Sequence, residues 1–185
     1  MSRLVLASAS PRRRELMSLA GFDFEVITAD VDEVLDPSLA PCELVMSLSF
    51  QKASAVANLN PDATVIGADT VVVLGGKVLG KPHSEEEAVQ MLRDLSGNTH
   101  EVYTGVCLIR GDKVHRFYEC TKVTFWPLED ELIADYVASG DCNDKAGSYG
   151  IQGNGCVLVK GIEGDYFNVV GFPISRFCRE IKAFA

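Results

Sequence analysis

The chain has 185 residues and a formal net charge of −9; 47% of its residues are hydrophobic and 23% are charged. These values are typical of one folded domain, and no apolar run approaches the roughly 20 residues that a membrane span requires. The acidic balance argues against general nucleic-acid binding, which depends on neutralising phosphates. Any anionic ligand must therefore bind at a local cluster of basic side chains.

We expect a single domain over residues 1–185 in the cytoplasm. The first apolar stretch, Leu4 to Ala7, is too short for the core of a signal peptide. The six cysteines match no zinc or disulfide spacing, and this suits a reducing compartment.

The predicted elements alternate between strands and helices. Strands are predicted at residues 3–7, 24–28, 63–74, 77–79, 100–110, 113–125, 156–160 and 166–170. Helices are predicted at residues 11–20, 41–59, 85–95, 129–139 and 173–184. The first helix should be capped by Ser10, and the strand at 63–74 should break near Gly67. Hairpin signals at Gly75-Gly76 and Gly111-Asp112 favour an α/β fold with a mixed sheet.

The first candidate site joins a predicted strand to a predicted helix. It contains Ser8 and the run Arg12-Arg13-Arg14, and free backbone N–H groups converge at such a helix N-terminus. The helix dipole makes each cation there unfavourable by up to about 1 kcal/mol. A bound polyphosphate would reverse the sign of that effect, so the arginines indicate an anion site. The alternative is a capped helix with solvated arginines.

Asp69 is the second candidate because it lies inside the apolar run from Val65 to Val73. A carboxylate in such surroundings needs an ion pair, hydrogen bonds or a metal ion. Any of these partners would make Asp69 a candidate general base or metal ligand. The alternative is an aspartate that closes a bulge or turn at Gly67.

Two lysines could act beside Asp69. Lys52 shares one face of its predicted helix with Val45, Leu48 and Val56. A lysine on the packed side of a helix needs a partner, or it extends along the apolar surface to reach water. Lys81 follows the Gly75-Gly76 hairpin and could point to the same place, although an isolated exposed lysine would carry no information.

The last candidates lie in two loops. In the glycine-rich loop at residues 141–155, Lys145 adds a cation and Gln152 offers an amide that can read the edge of a base. The alternative is a flexible surface loop. In the segment Val31-Asp32-Glu33, either carboxylate, Asp32 or Glu33, could help Asp69 hold a divalent cation, or the pair could belong to a solvated loop.

Together these segments resemble the Maf family of nucleotide pyrophosphatases over nearly the whole chain. The matching motifs are Leu-Ala-Ser-Ala-Ser-Pro-Arg-Arg at residues 6–13, Val31-Asp32-Glu33, Gln51-Lys52-Ala53, Gly67-Ala68-Asp69-Thr70, Gly80-Lys81-Pro82, Leu95-Ser96-Gly97, Asp144-Lys145-Ala146-Gly147 with Tyr149-Gly150-Ile151-Gln152-Gly153, and Val170-Gly171-Phe172-Pro173. Each motif alone is weak, but their shared order makes the resemblance specific.

The resemblance implies an α/β fold of the inosine-triphosphatase (Maf/Ham1) type, with an elongated mixed β-sheet flanked by helices and a cleft between two lobes. It also implies hydrolysis of a nucleoside triphosphate to the monophosphate and pyrophosphate with a divalent cation, Mg, Mn or Co. By resemblance Asp69 is the proton acceptor and Glu33 matches an acidic position of the family. The family positions expected to line the phosphate site are matched by Ser8, Arg13, Lys52 and Lys81.

Three positions separate branches of the family by substrate. Arg12, Thr70 and Gln152 resemble the branch that takes dTTP and UTP, whereas the branch for 7-methyl-GTP differs at all three. We therefore expect a house-cleaning enzyme for pyrimidine nucleotides, including CTP or modified ones. Two alternatives are a 7-methyl-GTP pyrophosphatase and a nucleotide-binding regulator of cell division without significant turnover. The resemblance further suggests a homodimer with no nucleic-acid or membrane partner.

Overall fold

A computed structural model describes residues 3–184 of the protein, within which seven strands and six helices are found. The strands are β1 Leu4–Leu6, β2 Glu25–Val26, β3 Thr64–Leu74, β4 Lys77–Leu79, β5 Thr99–Arg110, β6 Lys113–Phe125 and β7 Val159–Glu163. The helices are α1 Pro11–Leu19, α2 Pro41–Ala57, α3 Glu85–Leu95, α4 Asp130–Ala138, α5 Tyr166–Val170 and α6 Ile174–Phe184. Two 3₁₀ turns, Ala146–Ser148 and Gly153–Val157, lie in the glycine-rich loop.

The seven strands form one mixed sheet in the order β2-β1-β3-β5-β6-β7, with β4 paired to β3. Strand β1 is parallel to both β2 and β3. Strand β4 is antiparallel to β3, and β7 is antiparallel to β6. The predicted α/β class with a mixed sheet is therefore confirmed.

The chain divides into two compact units, each assembled from separate stretches of sequence. The first contains the chain up to Thr70, Thr104–Glu119 and the segment from Gly171 onward. The second contains Val71–Tyr103 and Cys120–Val170. The single domain over residues 1–185 and the cleft between two lobes stay predictions.

In the first unit, helix α2 lies directly against the backbone of β3 and β5. A Cβ atom added at Gly67 would lie 2.8 Å from the Ala53 nitrogen, and one added at Gly105 would lie 2.7 Å from the Met46 nitrogen. Only glycine leaves room for this approach. Around the contact, apolar side chains of the strands and of α2 form a buried core. The close approach sets the position of α2 against β3 and β5.

The second unit has its own core beneath helix α3. The buried residues Ala88, Met91, Leu92 and Leu95 recur at helical spacing, so one face of α3 is apolar. The predicted cap is present, because the Ser84 side chain accepts a hydrogen bond from the Glu87 N–H at 3.2 Å.

Two of the predicted elements were wrong in kind or in continuity. Strand β3 runs unbroken from Thr64 to Leu74, and Gly67 makes the close contact with α2 instead of a break. The segment Tyr166–Val170 is helix α5 and not a strand. Asp165 accepts a hydrogen bond from the Phe167 N–H at 2.9 Å, and the buried Asn168 amide donates to the Val102 carbonyl at 2.9 Å. These polar contacts outweigh the strand preference of the aromatic and β-branched residues in the segment.

Ser10 is the N-cap residue of α1 and Pro11 is the first residue of the helix, as predicted, although the Ser10 side chain makes no capping hydrogen bond. The Ser10 N–H donates to the Ser8 hydroxyl at 3.3 Å. One smaller prediction was wrong. The strand predicted at residues 156–160 begins three residues later, as β7 Val159–Glu163, because the glycine-rich loop continues into a 3₁₀ turn. Among the helices of residues 3–184, none has the length and apolar character needed to cross a bilayer.

Candidate functional site

An ion pair between strand β3 and helix α2 is the centre of the candidate site. Asp69 lies two residues beyond Gly67 on β3 and therefore on the same face of the strand. Lys52 precedes Ala53, which contacts Gly67. The glycine contact thus brings the two side chains together, and Lys52 Nζ donates a short hydrogen bond to Asp69 Oδ1. Their side chains are 13% exposed for Asp69 and 23% exposed for Lys52, so a ligand can reach them.

A second carboxylate joins the ion pair from an irregular segment. Glu33 Oε1 lies 3.1 Å from Lys52 Nζ, so the ammonium group bridges Glu33 and Asp69. The Glu33 side chain is 39% exposed. The lysine on the packed face of α2 therefore has two acidic partners, and its aliphatic chain does not merely extend to water.

Arg13 connects three separate parts of the first unit. Its Nη1 donates to the Ser8 hydroxyl at 3.1 Å and to the Ala68 carbonyl at 2.9 Å. Its Nε donates to the Gly171 carbonyl at 2.9 Å, and its Nη2 donates to the Thr70 hydroxyl at 3.1 Å. A guanidinium has five N–H donors, so four are engaged within the protein. Arg13 therefore holds the start of α1, strand β3 and the Gly171 turn together.

Hydroxyl groups lie on both sides of the Arg13 guanidinium. Ser8 is buried, and its hydroxyl accepts hydrogen bonds from both Arg13 and the Ser10 N–H. On the other side of the guanidinium, the Thr70 and Thr104 hydroxyls share a hydrogen bond of 2.9 Å. Ser8 and Thr70 are thereby fixed in orientation around Arg13.

The charges in this part of the first unit nearly balance. Burial lowers the pKa of Arg13, while the negative charge of Asp69 acts in the opposite direction. An arginine starts from a pKa of roughly 12 or higher, so Arg13 remains a cation at neutral pH. Arg13 and Lys52 together offset Asp69 and Glu33, and Arg12 adds a further positive charge next to Arg13. Additional positive charge, from a metal ion or from further basic side chains, would therefore favour a polyanionic ligand.

Glu33 and Asp69 are the candidate ligands for a divalent cation. Glu33 and Asp69 supply two carboxylates that share a cationic neighbour, Lys52. Within residues 3–184, no cluster of three or more His, Cys, Asp or Glu side chains could hold a metal ion. Two carboxylates nevertheless fit a magnesium-type cation, which commonly takes one or two carboxylates and completes its shell with substrate phosphates and water.

The remaining predicted site residues occupy the second unit. Lys81 is exposed two residues after the end of β4, and the carbonyl of its neighbour Gly80 accepts a hydrogen bond from the Gly147 N–H at 3.0 Å. This bond ties the Lys81 segment to the glycine-rich loop. Gln152 lies half-buried at the start of the second 3₁₀ turn of that loop.

Lys145 shapes the glycine-rich loop from within. Its ammonium group lies 3.0 Å from Asp141 Oδ1 and 2.8 Å from Asp144 Oδ1. A Cβ atom at Gly150 would lie 2.7 Å from Lys145 Cε, so the loop folds tightly over the lysine side chain. The loop is thus an ordered structure with its own ion pairs, which does not fit the alternative of a flexible surface loop.

The structure therefore groups the predicted residues by unit. Six of them form two polar groups in the first unit, Ser8-Arg13-Thr70 and Glu33-Lys52-Asp69, which meet at the adjacent residues Asp69 and Thr70 of β3. Arg12 lies half-buried on α1, next to Arg13. Lys81, Lys145 and Gln152 belong to the second unit. A single pocket that all of these residues share stays a prediction.

Three supporting residues were missed from the sequence. Gly171 provides a carbonyl to Arg13, Thr104 supports the Thr70 hydroxyl, and Gln51 binds the backbone next to Glu33. Gly171 and Gln51 both lie within motifs that resemble the family, so the sequence contained a signal for these two residues. Thr104 carries no such signal, because its role depends on the pairing of two strands.

The fold and site define an α/β protein with a lysine–carboxylate site on a strand of a mixed sheet. The family model described as Maf-like protein matches residues 3–184. The chain belongs to this Maf family.

Relatives named dTTP/UTP pyrophosphatase are similar along their full length. The one from Bacillus cereus (strain AH820) is 56% identical over 184 residues, covering 100% of this chain and 96% of the relative. The one from Bacillus anthracis is 55% identical with the same coverage. Among solved structures, a HAM1 protein from Coxiella burnetii is 13% identical with a TM-score of 0.55, covering 99% of this chain and 100% of that one. This last likeness supports the fold.

Proposed function

We propose that the protein is a house-cleaning nucleoside triphosphate pyrophosphatase that converts dTTP and UTP to their monophosphates and pyrophosphate. The observation that carries the proposal is the Asp69 carboxylate, held by Lys52 and accompanied by Glu33, on strand β3. Full-length identity of 56% to a relative named for this reaction supports the choice of substrates.

Asp69 acts as the proton acceptor in this proposal. A water oxygen attacks the α-phosphorus, the bond from that phosphorus to the bridging oxygen breaks, and the water proton passes to the Asp69 carboxylate. Pyrophosphate leaves with the electron pair of the broken bond. Lys52 holds Asp69 Oδ1 and thereby orients the carboxylate. Because a general base contributes by its position as well as its basicity, this fixed geometry favours the reaction.

The phosphates require positive charge from basic side chains. We assign contacts with the phosphate groups to Ser8, Arg13, Lys52, Lys81 and Lys145. Arg13 keeps one N–H beyond its four protein contacts and acts mainly through charge and through the position of Ser8 and Ala68. A unit-charge pair at 4 Å contributes about 4 kcal/mol at an effective dielectric constant of 20, so each cation matters for binding.

We assign the divalent cation to Glu33 and Asp69, with Mg, Mn or Co as the candidate metals. When bound, such a cation supplies charge neutralisation for the phosphates and acidifies a bound water. Glu33 and Asp69 offer carboxylate oxygens, which are ligands that suit Mg²⁺ and Mn²⁺. The negative charge of the triphosphate would then be shared between the cation and the basic side chains.

We assign pyrimidine selection to Arg12, Thr70 and Gln152. The Thr70 hydroxyl is fixed by Arg13 and Thr104, so it presents one defined hydrogen-bonding direction. Gln152 can both donate to and accept from the edge of a base.

We also propose that the enzyme works in the cytoplasm as a homodimer, without a nucleic-acid or membrane partner.

Release of pyrophosphate from a nucleotide panel tests the function. The panel contains dTTP, UTP, CTP and 7-methyl-GTP, each with Mg, Mn or Co. We expect turnover of dTTP and UTP, and Asp69→Asn should lower it by about 100- to 10,000-fold while nucleotide binding remains measurable. The matched control Asp112→Asn, in the exposed β5–β6 turn, should leave turnover unchanged. Normal turnover by Asp69→Asn would refute the assignment, and binding without turnover by the unmodified protein would favour the regulator of cell division.

A further inference from the structure

The segment that carries Glu33 has little structure of its own. Residues 27–36 form neither helix nor strand, and Val34 and Leu35 are 70% and 65% exposed. The ion pair from Glu33 to Lys52 is partly solvated, and such pairs contribute only about 0–1 kcal/mol. A stronger attachment is needed to keep the Glu33 carboxylate beside Lys52.

Gln51 provides that attachment, because its side-chain amide bonds both the N–H and the carbonyl of Val34. The Val34 N–H donates to Gln51 Oε1 at 2.9 Å, and Gln51 Nε2 donates to the Val34 carbonyl at 3.1 Å. This pairing resembles one rung of a β-ladder, with a side-chain amide in place of a second strand. Gln51 Nε2 also lies 3.4 Å from the Ser47 hydroxyl one turn earlier on α2, which orients the amide.

The pairing of Gln51 with Val34 lies next to the ion pair between Lys52 and Glu33. Val34 pairs with Gln51, and the adjacent residues Glu33 and Lys52 pair with each other. Because both pairs lie side by side, fixing the Val34 backbone also fixes where the Glu33 side chain starts. A glutamine side chain is well suited to this role, because its amide has both a donor and an acceptor and its chain is long enough to reach Val34.

We propose that Gln51 is a positioning residue that acts through Val34 to hold the Glu33 carboxylate at the Lys52–Asp69 pair. In this proposal Gln51 acts on the site only through the Val34 backbone and the Glu33 carboxylate. The inference rests on the proposed function for its effect on turnover. The contact itself rests only on the hydrogen bonds between Gln51 and Val34.

A double-mutant cycle tests the proposal by activity. Gln51→Leu should raise the metal concentration for half-maximal turnover by about tenfold, as substitutions behind a metal ligand commonly do. Glu33→Gln should raise it at least as much. Adding Gln51→Leu to Glu33→Gln should change it by less than about twofold, because Gln51 then has no carboxylate to position.

Two further variants control for folding. Gln51→Glu keeps the size of the side chain but loses the donor to the Val34 carbonyl, so its effect should follow that of Gln51→Leu. Gln90→Leu removes an amide from the partly exposed face of α3 and should leave the metal dependence unchanged. Additive effects of Gln51→Leu and Glu33→Gln, or an effect of Gln51→Leu without one of Glu33→Gln, would overturn the proposal.

Nuclear magnetic resonance separates this proposal from the proposed function. The Val34 amide should be protected from hydrogen exchange in the unmodified protein and in Glu33→Gln, and unprotected in Gln51→Leu. The carboxyl ¹³C shift of Glu33 should move toward that of a solvated glutamate in Gln51→Leu. Unchanged exchange and shift in Gln51→Leu would overturn the positioning role. Absence of pyrophosphate release by the unmodified protein would overturn the function alone.

Discussion

Gly67 on strand β3 and Ser49 on helix α2 approach each other more closely than any side chain at Gly67 would permit. A Cβ at Gly67 would overlap the Ser49 carbonyl oxygen and lie 2.8 Å from the Ala53 nitrogen. Both obstacles are backbone atoms of α2, so no rotation of a side chain could make room. The same contact places Lys52 beside Asp69, and the packing and the chemistry of the site therefore depend on one glycine.

Gly67→Ala should destabilise the protein strongly, because α2 must move away from β3. We expect a loss of about 3 kcal/mol in the free energy of unfolding, at the upper end of overpacking effects, measured by urea denaturation. The control is Gly161→Ala, because a Cβ at Gly161 in β7 would meet no atom within 4 Å. The explanation would be wrong if both variants unfolded at the same urea concentration as the unmodified protein.

Arg13→Lys keeps the positive charge but removes the fork that reaches four acceptors. A lysine ammonium cannot bind the Ala68 and Gly171 carbonyls together with the Ser8 and Thr70 hydroxyls. Each buried acceptor left without a partner costs about 1–3 kcal/mol. We therefore expect a lower melting temperature and a lower kcat/KM. Arg14→Lys, at an exposed position of the same helix, is the control and should change neither quantity. An Arg13→Lys variant with the stability of the unmodified protein would show that the network around Arg13 is not structural.

Lys52→Met removes the cation that bridges Glu33 and Asp69. The two carboxylates then repel each other, and a divalent cation can replace the ammonium group. We expect binding of Mn²⁺ in calorimetry to strengthen by about tenfold, since 1.4 kcal/mol of Coulomb energy suffices for that change. Turnover should fall, because Asp69 loses its orientation. Weaker binding of Mn²⁺ to the Lys52→Met variant would contradict the assignment of Glu33 and Asp69 as metal ligands.

The sequence identified the elements whose signals are local. The capping pattern of Ser84 and Glu87 and the Gly75-Gly76 hairpin both depend on residues that are neighbours along the chain. Helix α5 was predicted as a strand because its conformation depends on Asn168, whose buried amide reaches Val102 and Thr121. Such distant contacts leave no periodic pattern in the segment itself.

In the candidate site, several side chains could be predicted from the sequence, but some of their partners could not. An aspartate within an apolar strand and a lysine on the packed face of a helix each required a partner, and the structure pairs Asp69 with Lys52. The orientation of Arg13 could not be predicted, since two of its acceptors are backbone carbonyls. One of them, Gly171, lies 158 residues away along the chain. Backbone acceptors are common to all residues, so the sequence does not mark them.

Tyr136→Phe should loosen the glycine-rich loop without disturbing the first unit. The Tyr136 hydroxyl accepts a hydrogen bond from the Gly150 N–H at 3.0 Å and donates to Asp141 Oδ2 at 3.2 Å. Burial raises the pKa of Tyr136, so the hydroxyl stays protonated and available as a donor. We expect KM for UTP to rise several-fold with kcat nearly unchanged, because the loosened loop loses about 1 kcal/mol of binding free energy. A fall in kcat at constant KM would instead place the effect on the chemical step.

His100 should make the protein less stable as the pH falls. It is 1% exposed, its Nε2 shares a hydrogen bond of 2.7 Å with the Tyr149 hydroxyl, and its Nδ1 has no hydrogen-bond partner within the described residues. Burial lowers the pKa of His100 to about 4 from the ordinary value of 6.5. The unfolded chain therefore binds a proton at a higher pH than the folded protein does. The stabilising contribution is complete above pH 6.5 and is lost as the pH falls toward 4.

The full loss corresponds to about 3 kcal/mol, at 1.36 kcal/mol for each unit of pKa difference. Urea denaturation between pH 7 and pH 4 measures it, with His100→Phe as the comparison. The variant has a constant penalty at every pH, because the Tyr149 hydroxyl loses its partner. Its stability should nevertheless fall less steeply with acid than that of the unmodified protein, and the difference in slope isolates His100 from the carboxylates that titrate in the same range. Equal slopes for the two proteins would mean that His100 is protonated in the folded state as readily as in the unfolded one.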